Sequence, residues 1–571
     1  DKNDARKSYY IFDITILNMK NQSSPFSFLI NKRYNKNEIS KMIIKYQLTI
    51  ITNFLLLLGL LMSFFYINSF DKALALPVSP TSSSSLSTLS LLQSDLAAIN
   101  SGNPPSISQF NLPPGYRIEP VMWNLTLPSS VTFDDKNNMY ISEAGFVYGG
   151  LVPTPRISKI DNHNGNVSVL VDRNLNGPIT DIEYYDGKLY VSHRGVISTV
   201  EPDSGLVKDI IVGLPSLGDH HNNQIAIGPD NRLYFGQGEA TNSGVVGEDN
   251  FKLGWTKVAP QFHDIPAKNI TLTGQNFVTN NTLTAEPNDT ATTGAFVPFG
   301  TPTYPGQVIQ GNIKCNGCIL SANLDGTDLK LVGWGFRSAY GMAFSSIDST
   351  KLLVTVNGAD ERGSRPIIND TEKVYSIDIS DPNGLGKFYG WPDFFGNGEP
   401  VTDPKFQSPN SNTNQHLEFL MQNHPPVEKP LVQLEVGSAL AQVDFSSSNN
   451  NTNNFGLEGM AFISEFGIMV PISHSLKSIK NQEKIVGQKV VMFNTQTNNY
   501  SEFLSLKFSD SSFRPVGISF NKNEDVLYIA SIGKVEIRTT LPDDNNTLLP
   551  EPLPWYYPGT GVIWKVTKIP N

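Results

Sequence analysis

A short hairpin pattern recurs along the chain and constrains its fold more than any other feature. Each copy has two apolar strands joined by a polar turn, and the second strand ends in small residues and glycine. The six copies begin at Pro128, Pro178, His221, Ala339, Gly456 and Arg514. Further strand signals follow the copies, and helical periodicity is scarce. Because four strands per unit repeated radially form a propeller, the sequence predicts an all-β, six-bladed β-propeller with four-stranded antiparallel blades.

The predicted propeller spans residues 111–571. A strand that begins at Gly559 is expected to complete the blade begun by residues 110–125. Two intervals, near 240–310 and 380–450, are rich in Asn, Thr, Pro and Gly, and we predict long loops there. Long loops in a compact fold are usually functional or act as lids.

An export segment is predicted before the propeller. Lys41 and Lys45 precede an apolar run at 48–67, and Ala73-Leu74-Ala75 follows it. A basic region, an apolar region and a small-residue site together indicate a signal peptide at 42–75. The run approaches membrane-spanning length, so an uncleaved anchor through 48–67 is the alternative.

Both alternatives place the propeller outside the cytoplasm, in an extracellular, periplasmic or cell-surface location. Residues 1–41 are interpreted as an upstream extension that is not native to the protein. The Ser/Pro-rich residues 76–110 are predicted to form a linker. N-x-S/T sequons after the signal, such as those at Asn166 and Asn269, are compatible with a glycosylated surface.

Charge and cysteine content narrow the choice of partners. The formal net charge of −10 argues against nucleic acid as the main partner. The only two cysteines are Cys315 and Cys318, in a Cys-Asn-Gly-Cys sequence. A zinc ribbon needs a second pair, so a small disulfide loop is the predicted state in an oxidising compartment.

Residues 218–239 contain a candidate for proton transfer. His220 and His221 stand directly before a strand, and a Gly-Pro-Asp-Asn turn follows at 228–231. A neutral imidazole can act as a general base near neutral pH. Metal ligation, or a place in a polar rim, is the structural alternative for both histidines.

The phase of the repeats relates this segment to distant residues. Residues just before the first strand of each copy are expected to lie on one face of the propeller. This expectation places His220, Arg337, Glu458 and Arg514 near a common pocket.

Several motifs resemble the soluble quinoprotein glucose dehydrogenases and the wider glucose/sorbosone dehydrogenase family. They occur in order over residues 112–568: Asp219-His220 ahead of Gly228-Pro229-Asp230, GWGFRSAYGMAF from Gly333, VNGAD from Val356, NDTEKVY from Asn369, FYGWPDFFG from Phe388 and FRPVGISF from Phe513. The resemblance implies a propeller that binds pyrroloquinoline quinone (PQQ) and calcium and oxidises a sugar or a related aldehyde or alcohol. It also implies an external electron acceptor, such as a copper or haem protein or a quinone.

The resemblance implies roles for individual residues around the cofactor. His220 corresponds to the family's catalytic base, and Asp219 would orient or polarise it. Arg337 and Arg514 correspond to arginines that pair with the cofactor's carboxylates. Three further positions are assigned to the cofactor pocket: Ser338, His221 and Gln224.

The resemblance likewise implies calcium ligands. Gly358 and Ala359 correspond to residues whose carbonyl oxygens hold the calcium of the cofactor. Asp370, Glu372 and the Tyr389 carbonyl correspond to a neighbouring calcium site. Hard oxygen ligands of this kind suit calcium.

A second hypothesis keeps the propeller without the cofactor. Gln224 stands where the family usually has Arg, Ser338 stands where it has Asn, and a lysine that contacts the quinone has no clear counterpart. These differences favour a cell-surface module that binds glycans or proteins, or a calcium-dependent lactonase-like hydrolase. Propellers host many functions, so the fold does not decide between the hypotheses.

Overall fold

The computed structural model describes residues 100–570 except 101, 146–153, 285, 287, 409–415, 449–453, 469–485, 508–511, 524 and 542–543. The predicted export segment at 42–75, the upstream segment at 1–41 and most of the linker lie outside the described residues. Within the described part of the chain, no helix has the length and apolar character needed to cross a membrane.

Six sheets of four antiparallel strands confirm the predicted propeller. We number the blades by the chain order of their inner strands and give the strands from the channel outwards. Blade 1 contains Pro128–Phe133, Met139–Glu143, Arg156–Ile160 and Val167–Val171. Blade 2 contains Ile179–Tyr185, Lys188–His193, Val196–Val200 and Val207–Val212. Blade 3 contains Asn222–Ile227, Arg232–Gln237, Cys318–Asn323 and Lys330–Trp334, with Lys387–Phe388 added in parallel.

The remaining blades come from the second half of the chain and from its N-terminal strands. Blade 4 contains Ser338–Phe344, Lys351–Asn357, Glu372–Asp378 and Val432–Leu434. Blade 5 contains Leu440–Phe445, Ala461–Glu465, Lys489–Asn494 and Asn499–Leu506, with Phe110–Asn111 at its edge. Blade 6 contains Pro515–Phe520, Val526–Ser531, Gly561–Lys568 and Tyr116–Leu125.

The ring is closed by strands from opposite ends of the described chain. Tyr116–Leu125 pairs antiparallel with Gly561–Lys568, from Tyr116 opposite Lys568 to Leu125 opposite Gly561. The expected completion of a blade by the C-terminal strand is therefore present. Each inner strand packs against the inner strands of both neighbouring blades, including blade 6 against blade 1.

Much of the apolar core lies at the interfaces between neighbouring blades. Between blades 5 and 6, for example, Phe462 and Phe503 pack with Ile518 and Trp564. Strands buried on both faces need apolar side chains throughout their length, which is why the inner and second strands carry so many Val, Ile and Phe residues.

Polar side chains line the channel and tie the inner strands together. Asp181 accepts hydrogen bonds from Ser130 Oγ at 2.7 Å, Ile225 N at 2.8 Å and Gln442 Nε2 at 2.8 Å. Gln224 accepts from Met342 N at 2.9 Å and Val443 N at 3.1 Å, and it donates to Val443 O at 3.1 Å. Equivalent positions of different blades thus lie at one level of the channel.

Two insertions rise from blades 3 and 4. The first contains the helices Glu248–Lys252 and Trp255–Val258 and the hairpin Asn276–Asn280 with Thr290–Gly294. The second contains the strand pair Phe394–Phe395 with Glu399–Pro400 and the 3-10 turn Pro404–Phe406. The insertions share a small sheet of Val308–Ile309, Ile270–Leu272 and Met421–Gln422. A third hairpin, Val535–Leu541 with Asp544–Tyr556, interrupts blade 6.

The predicted phase of the repeats is wrong in blade 5. The copy from Gly456 was expected to begin with an inner strand, but Ala461–Glu465 is the second strand and Leu440–Phe445 is the inner one. The Ser- and Asn-rich connection between these two strands hid the true hairpin. Glu458 therefore precedes a second strand and lies at the end of the channel opposite to the site predicted for it.

Gln224→Ala tests the contribution of the channel hydrogen bonds to stability. The variant leaves two main-chain amides and one carbonyl buried without a partner, so we expect a loss on the order of 3 kcal/mol in the free energy of unfolding. Urea denaturation measures this loss. The control is Gln307→Ala, which removes only an acceptor for Tyr304 N in a surface loop and should change stability by less than about 0.5 kcal/mol. Equal stability of the two variants would contradict the assignment.

Candidate active site

Three of the predicted site residues lie at the same end of the channel. His220 precedes the inner strand of blade 3, Arg337 that of blade 4, and Arg514 that of blade 6. Since equivalent positions of the inner strands lie at one level, the residues that precede these strands share one face of the propeller. These three residues therefore share one face, whereas Glu458 is on the other face; a common pocket for the three stays a prediction.

His220 lies against a buried carboxylate. Its Nδ1 is 2.7 Å from Glu239 Oε1, and its main-chain N–H donates to Glu239 O at 3.1 Å. The register of the hairpin brings His220 and Glu239 together. Asn222 pairs with Gln237, so the residues just before Asn222 lie beside those just after Gln237. Gly238 is required between them, since a Cβ at this position would lie 2.3 Å from the His220 Cβ.

Arg337 lies on the other side of Glu239. Its Nε is 3.6 Å from Glu239 Oε1, and its Nη2 donates to Asp360 Oδ2 at 2.7 Å and to Asn242 Oδ1 at 3.2 Å. Glu239 is fully buried, and neither of its oxygens receives a well-directed hydrogen bond within the described part of the chain. Hydrogen bonds at catalytic groups are often poorly aligned until substrate is bound.

Burial opposes charge on both members of the histidine–glutamate pair. It raises the pKa of Glu239 well above the usual carboxyl range, and Arg337 offsets only part of this effect. Burial, together with the positive charge of Arg337, lowers the pKa of His220 to about 3. The imidazole is therefore neutral at physiological pH, which is the form required of a general base.

Asp219 belongs to the same cluster, and its carboxylate contacts Arg362 and Asn250. Its Oδ2 is 2.6 Å from Arg362 Nη2, and its Oδ1 accepts from Asn250 Nδ2 at 3.0 Å. Arg362 also reaches Asp249 Oδ2 at 2.6 Å and Asp360 Oδ2 at 3.2 Å. Arg362 thus joins the first insertion to blade 4 beside the histidine–glutamate pair.

Two residues assigned to the cofactor pocket have their contacts within the protein. His221 Nδ1 lies 3.0 Å from Ser216 O, and its ring contacts Trp255 edge to face. Gln224 is one of the channel residues, and its amide is engaged by blades 4 and 5. Ser338 differs, because its buried Oγ has no hydrogen-bond partner among the described residues.

Arg514 lies in a separate environment on the same face. Its Nη1 donates to Phe466 O at 3.1 Å and Ile468 O at 2.8 Å, and its guanidinium lies over the Phe466 ring. No carboxylate pairs with this buried guanidinium within the described residues, and burial lowers its pKa to about 10. Tyr556 and Tyr340 pack in the apolar cluster next to it.

The predicted calcium ligands fall into two groups. Asp370 accepts from Lys373 Nζ at 2.6 Å, Gly396 N at 2.7 Å and Ala359 N at 2.7 Å, so an ammonium already neutralises it. Glu372 accepts from the main-chain N–H of Gly358 at 3.0 Å.

The neighbouring calcium site predicted from these two carboxylates and the Tyr389 carbonyl stays a prediction. The Tyr389 ring stacks on Phe336. No group of three or more His, Cys, Asp or Glu side chains in the described ranges is arranged to hold a metal. Calcium at the carbonyl oxygens of Gly358 and Ala359 also stays a prediction. Asp370 and Glu372 accept hydrogen bonds from the N–H groups of these two residues, and those bonds do not involve the carbonyl oxygens.

Glu239, Asn242, Asp360 and Arg362 lie in the cluster around His220 and Arg337, although no sequence pattern placed them there. Glu239 could have been found from the hairpin register, which places the residues after Gln237 beside those before Asn222. The other three meet only through the fold, since Asn242 and Asp360 come from different blades. The predicted disulfide between Cys315 and Cys318 is present near this cluster.

Comparisons with known proteins identify similar structures but no family. No protein-family model matches the chain, and no curated protein matches it. The PQQ domain of pyranose dehydrogenase from Coprinopsis cinerea is 14% identical with a TM-score of 0.48, over 82% of this chain and 99% of that chain. The calcium structure of an AA12 carbohydrate-active enzyme from Trichoderma reesei gives the same four values. The PQQ-bound aldose sugar dehydrogenase from Streptomyces coelicolor is 13% identical with a TM-score of 0.40, over 80% of this chain and 99% of that chain. Similarity at this level carries no inference about activity.

Proposed function

We propose that this protein is an exported dehydrogenase of the quinoprotein type, which oxidises a sugar or a related aldehyde or alcohol with PQQ and calcium. The observation that carries the proposal is the buried group of His220, Glu239 and Arg337 at one end of the channel. A neutral imidazole beside a buried carboxylate is suited to take a proton from a substrate hydroxyl. The PQQ, when bound, would accept the hydride or electron pair.

The ionisation of Glu239 decides which nitrogen of His220 is basic. An ionised Glu239 can accept a hydrogen bond from Nδ1–H, which leaves the lone pair on Nε2 free to take a proton from the substrate. A protonated Glu239 instead donates to Nδ1, and Nε2 then carries a hydrogen and cannot act as a base. Arg337 favours the ionised form of Glu239, so it supports the active tautomer as well as the binding of anions.

The side chains of Arg337, Arg514 and Ser338 are chemically suited to bind a planar, anionic ligand. Arg514 is a buried cation that pairs with no described carboxylate, and both its Nε and the Arg337 Nε lack a hydrogen-bond partner. Buried charges are normally paired, so an external anion is the natural complement. A guanidinium also offers a two-point contact to a carboxylate, of which PQQ has three.

The proposal also covers the metal, the partner and the location. Gly358 and Ala359 would hold calcium through their carbonyl oxygens. The carboxylates of Asp370 and Glu372 hold the main chain of these two residues by accepting hydrogen bonds from their N–H groups. The electrons would pass to an external copper or haem protein or to a quinone. Export through the segment at 42–75 would bring the enzyme to the location where such acceptors and free sugars occur.

Reconstitution tests the proposed activity. The purified full chain, supplied with PQQ and calcium, is expected to reduce an artificial electron-accepting dye with one or more aldoses. His220→Ala should lower kcat by about 10²- to 10⁴-fold because the base is lost. His263→Ala is the matched control, since the hydrogen bond described for this ring is with Gln261 O in the first insertion, and its activity should be unchanged.

Two results would contradict this proposal. One is wild-type protein that neither gains thermal stability with PQQ nor reduces the dye. The other is binding of cell-surface glycans that persists undiminished in His220→Ala protein, which would favour the cofactor-free module.

The pH dependence of the reconstituted enzyme should report Glu239. Because the pKa of this carboxyl is raised and its ionised form is the active one, kcat/KM is expected to fall as pH decreases through the raised value, well above 4.5. The low pKa of His220 cannot produce this limb. A pH–rate profile measures it, and Glu239→Gln should remove the limb while lowering the rate at every pH. An acidic limb that survives in Glu239→Gln protein would assign it to another group.

Arg514→Met separates a cofactor role from a structural role. Loss of a charge-assisted hydrogen bond costs about 1.5–3 kcal/mol, so the Kd for PQQ is expected to rise about 10- to 100-fold. Titration calorimetry measures this change, and Arg514→Lys, which keeps the charge without the fork, should fall between wild type and Met. Unchanged PQQ affinity together with a large loss of stability in ligand-free protein would show that Arg514 is a structural residue only.

A further inference from the structure

The turn closed by the Cys315–Cys318 disulfide lies beside the candidate active site without contributing a side chain to it. Both cysteines are fully buried, and Cys318 begins the third strand of blade 3, opposite Gln237 of the second strand. The turn therefore sits at the end of the hairpin that carries His220 and Glu239.

Asn316, inside the turn, joins three segments of the chain. Its Nδ2 donates to Gly238 O and to Pro215 O, both at 2.9 Å, and its Oδ1 accepts from Ile265 N at 3.0 Å. The side chain is buried, so none of these bonds competes with water. Gly238 is the residue before Glu239, and Pro215 is in the connection that leads to His220.

The opposite side of the same turn holds the chain that carries Arg337. Gly317 O accepts hydrogen bonds from Gly335 N at 2.9 Å and Phe336 N at 3.0 Å. Gly317 has a φ of +60°, and a Cβ there would lie 2.5 Å from Phe336 O, so only glycine allows this approach. One turn thus fixes the main chain next to Glu239 and the main chain next to Arg337.

Ile265 links Asn316 to the residue that follows Glu239. Asn316 N donates to Ile265 O at 2.8 Å, and the preceding residue, Asp264, accepts from Ala240 N at 2.6 Å. Ala240 is the residue after Glu239. The residues on both sides of Glu239 are therefore anchored, one directly and one indirectly, to Asn316.

The Glu239 carboxylate has no comparable anchor of its own. Its oxygens receive no well-directed hydrogen bond from the described residues, and its close contacts are His220 Nδ1 and Arg337 Nε. Its position is consequently set by its backbone. The two distances, 2.7 Å and 3.6 Å, depend on how rigidly residues 238–240 and 335–337 are held relative to each other.

We infer that Asn316, held in the disulfide-closed turn, is a positioning residue that sets the Glu239 carboxylate between His220 and Arg337. The inference rests on the proposed function for its consequence in catalysis, but the arrangement itself can be tested without activity. A displacement of about 1 Å at a catalytic group can cost about 100-fold in rate, so loss of the Asn316 bonds should reduce catalysis although Asn316 touches no reacting atom.

Asn316→Asp keeps the size of the side chain and, when ionised, removes both donated hydrogen bonds; Asn316→Leu removes the same bonds without adding a charge and should change the His220 titration as well. The matched control is Asn323→Asp, at the far end of the strand that follows the turn, where Asn323 Nδ2 donates to Thr327 Oγ1. Selective 15N labelling of histidine in the full chain, with His220 assigned from the His220→Gln spectrum, reports the tautomer of His220 as a function of pH. This readout needs neither PQQ nor substrate.

We expect the pH of the His220 tautomer change to move by about one unit or more in Asn316→Asp and to stay at the wild-type value in Asn323→Asp. The acidic limb of kcat/KM should move with it, and kcat/KM should fall about 100-fold. If Asn316→Asp protein does not fold, wild-type protein that is folded and then reduced at Cys315–Cys318 gives the same readout, with a shift in the same direction.

A His220 titration that is unchanged in folded Asn316→Asp protein, or in native protein after reduction, would overturn the inference and leave the turn as a stabilising brace only. Failure of the proposed function gives a different pattern. In that case wild-type protein shows no PQQ-dependent dye reduction, while the His220 titration still responds to Asn316→Asp and not to Asn323→Asp.

Discussion

The pairing of Tyr116–Leu125 with Gly561–Lys568 is the constraint on which the rest of the molecule depends. Eight residue pairs in this ladder join strands that are more than 400 positions apart, and without them the ring of blades would be open between blades 6 and 1. Closure brings the beginnings of all six inner strands to one end of a single channel. The candidate site exists only because of this arrangement, since its residues come from separate blades and the insertions between their strands.

Buried polar groups inside the channel differ in their hydrogen bonding from those at its mouth. Inside the channel, Asp181, Gln224 and Gln442 each have partners on other blades, as buried polar groups normally require. At the mouth, Glu239, Ser338 and Arg514 keep buried atoms without partners among the described residues. Unsatisfied groups are costly. Buried atoms without a described partner also occur elsewhere, for example at Ser158 and Thr256, so it is their combination with the His220–Glu239 pair that marks this face as the candidate site.

The sequence was sufficient for the architecture and for part of the site. Five of the six hairpins have short polar turns, so alternating strands and turn residues predicted their bounds and placed His220 and Arg337 on one face. Blade 5 was misread because a Ser/Asn-rich connection separates Leu440–Phe445 from its partner strand. Glu239 required the hairpin register. The bridge of Arg362 to Asp219 and Asp249 depends on how the first insertion, which belongs to blade 3, packs against blade 4, and no local pattern predicts that.

The structure also explains the run of three amide side chains that follows His220 and His221. Asn222 Nδ2 donates to three acceptors of blade 2, Ser192 Oγ, His193 O and Val196 O. Asn223 donates to Ala339 O of blade 4, and Gln224 reaches blades 4 and 5. These amides each connect blade 3 to other blades, a task for which a side chain that both donates and accepts is suited. The three amides after His221 therefore have a structural cause in the closure of the channel. They leave the group of His220, Glu239 and Arg337 in place.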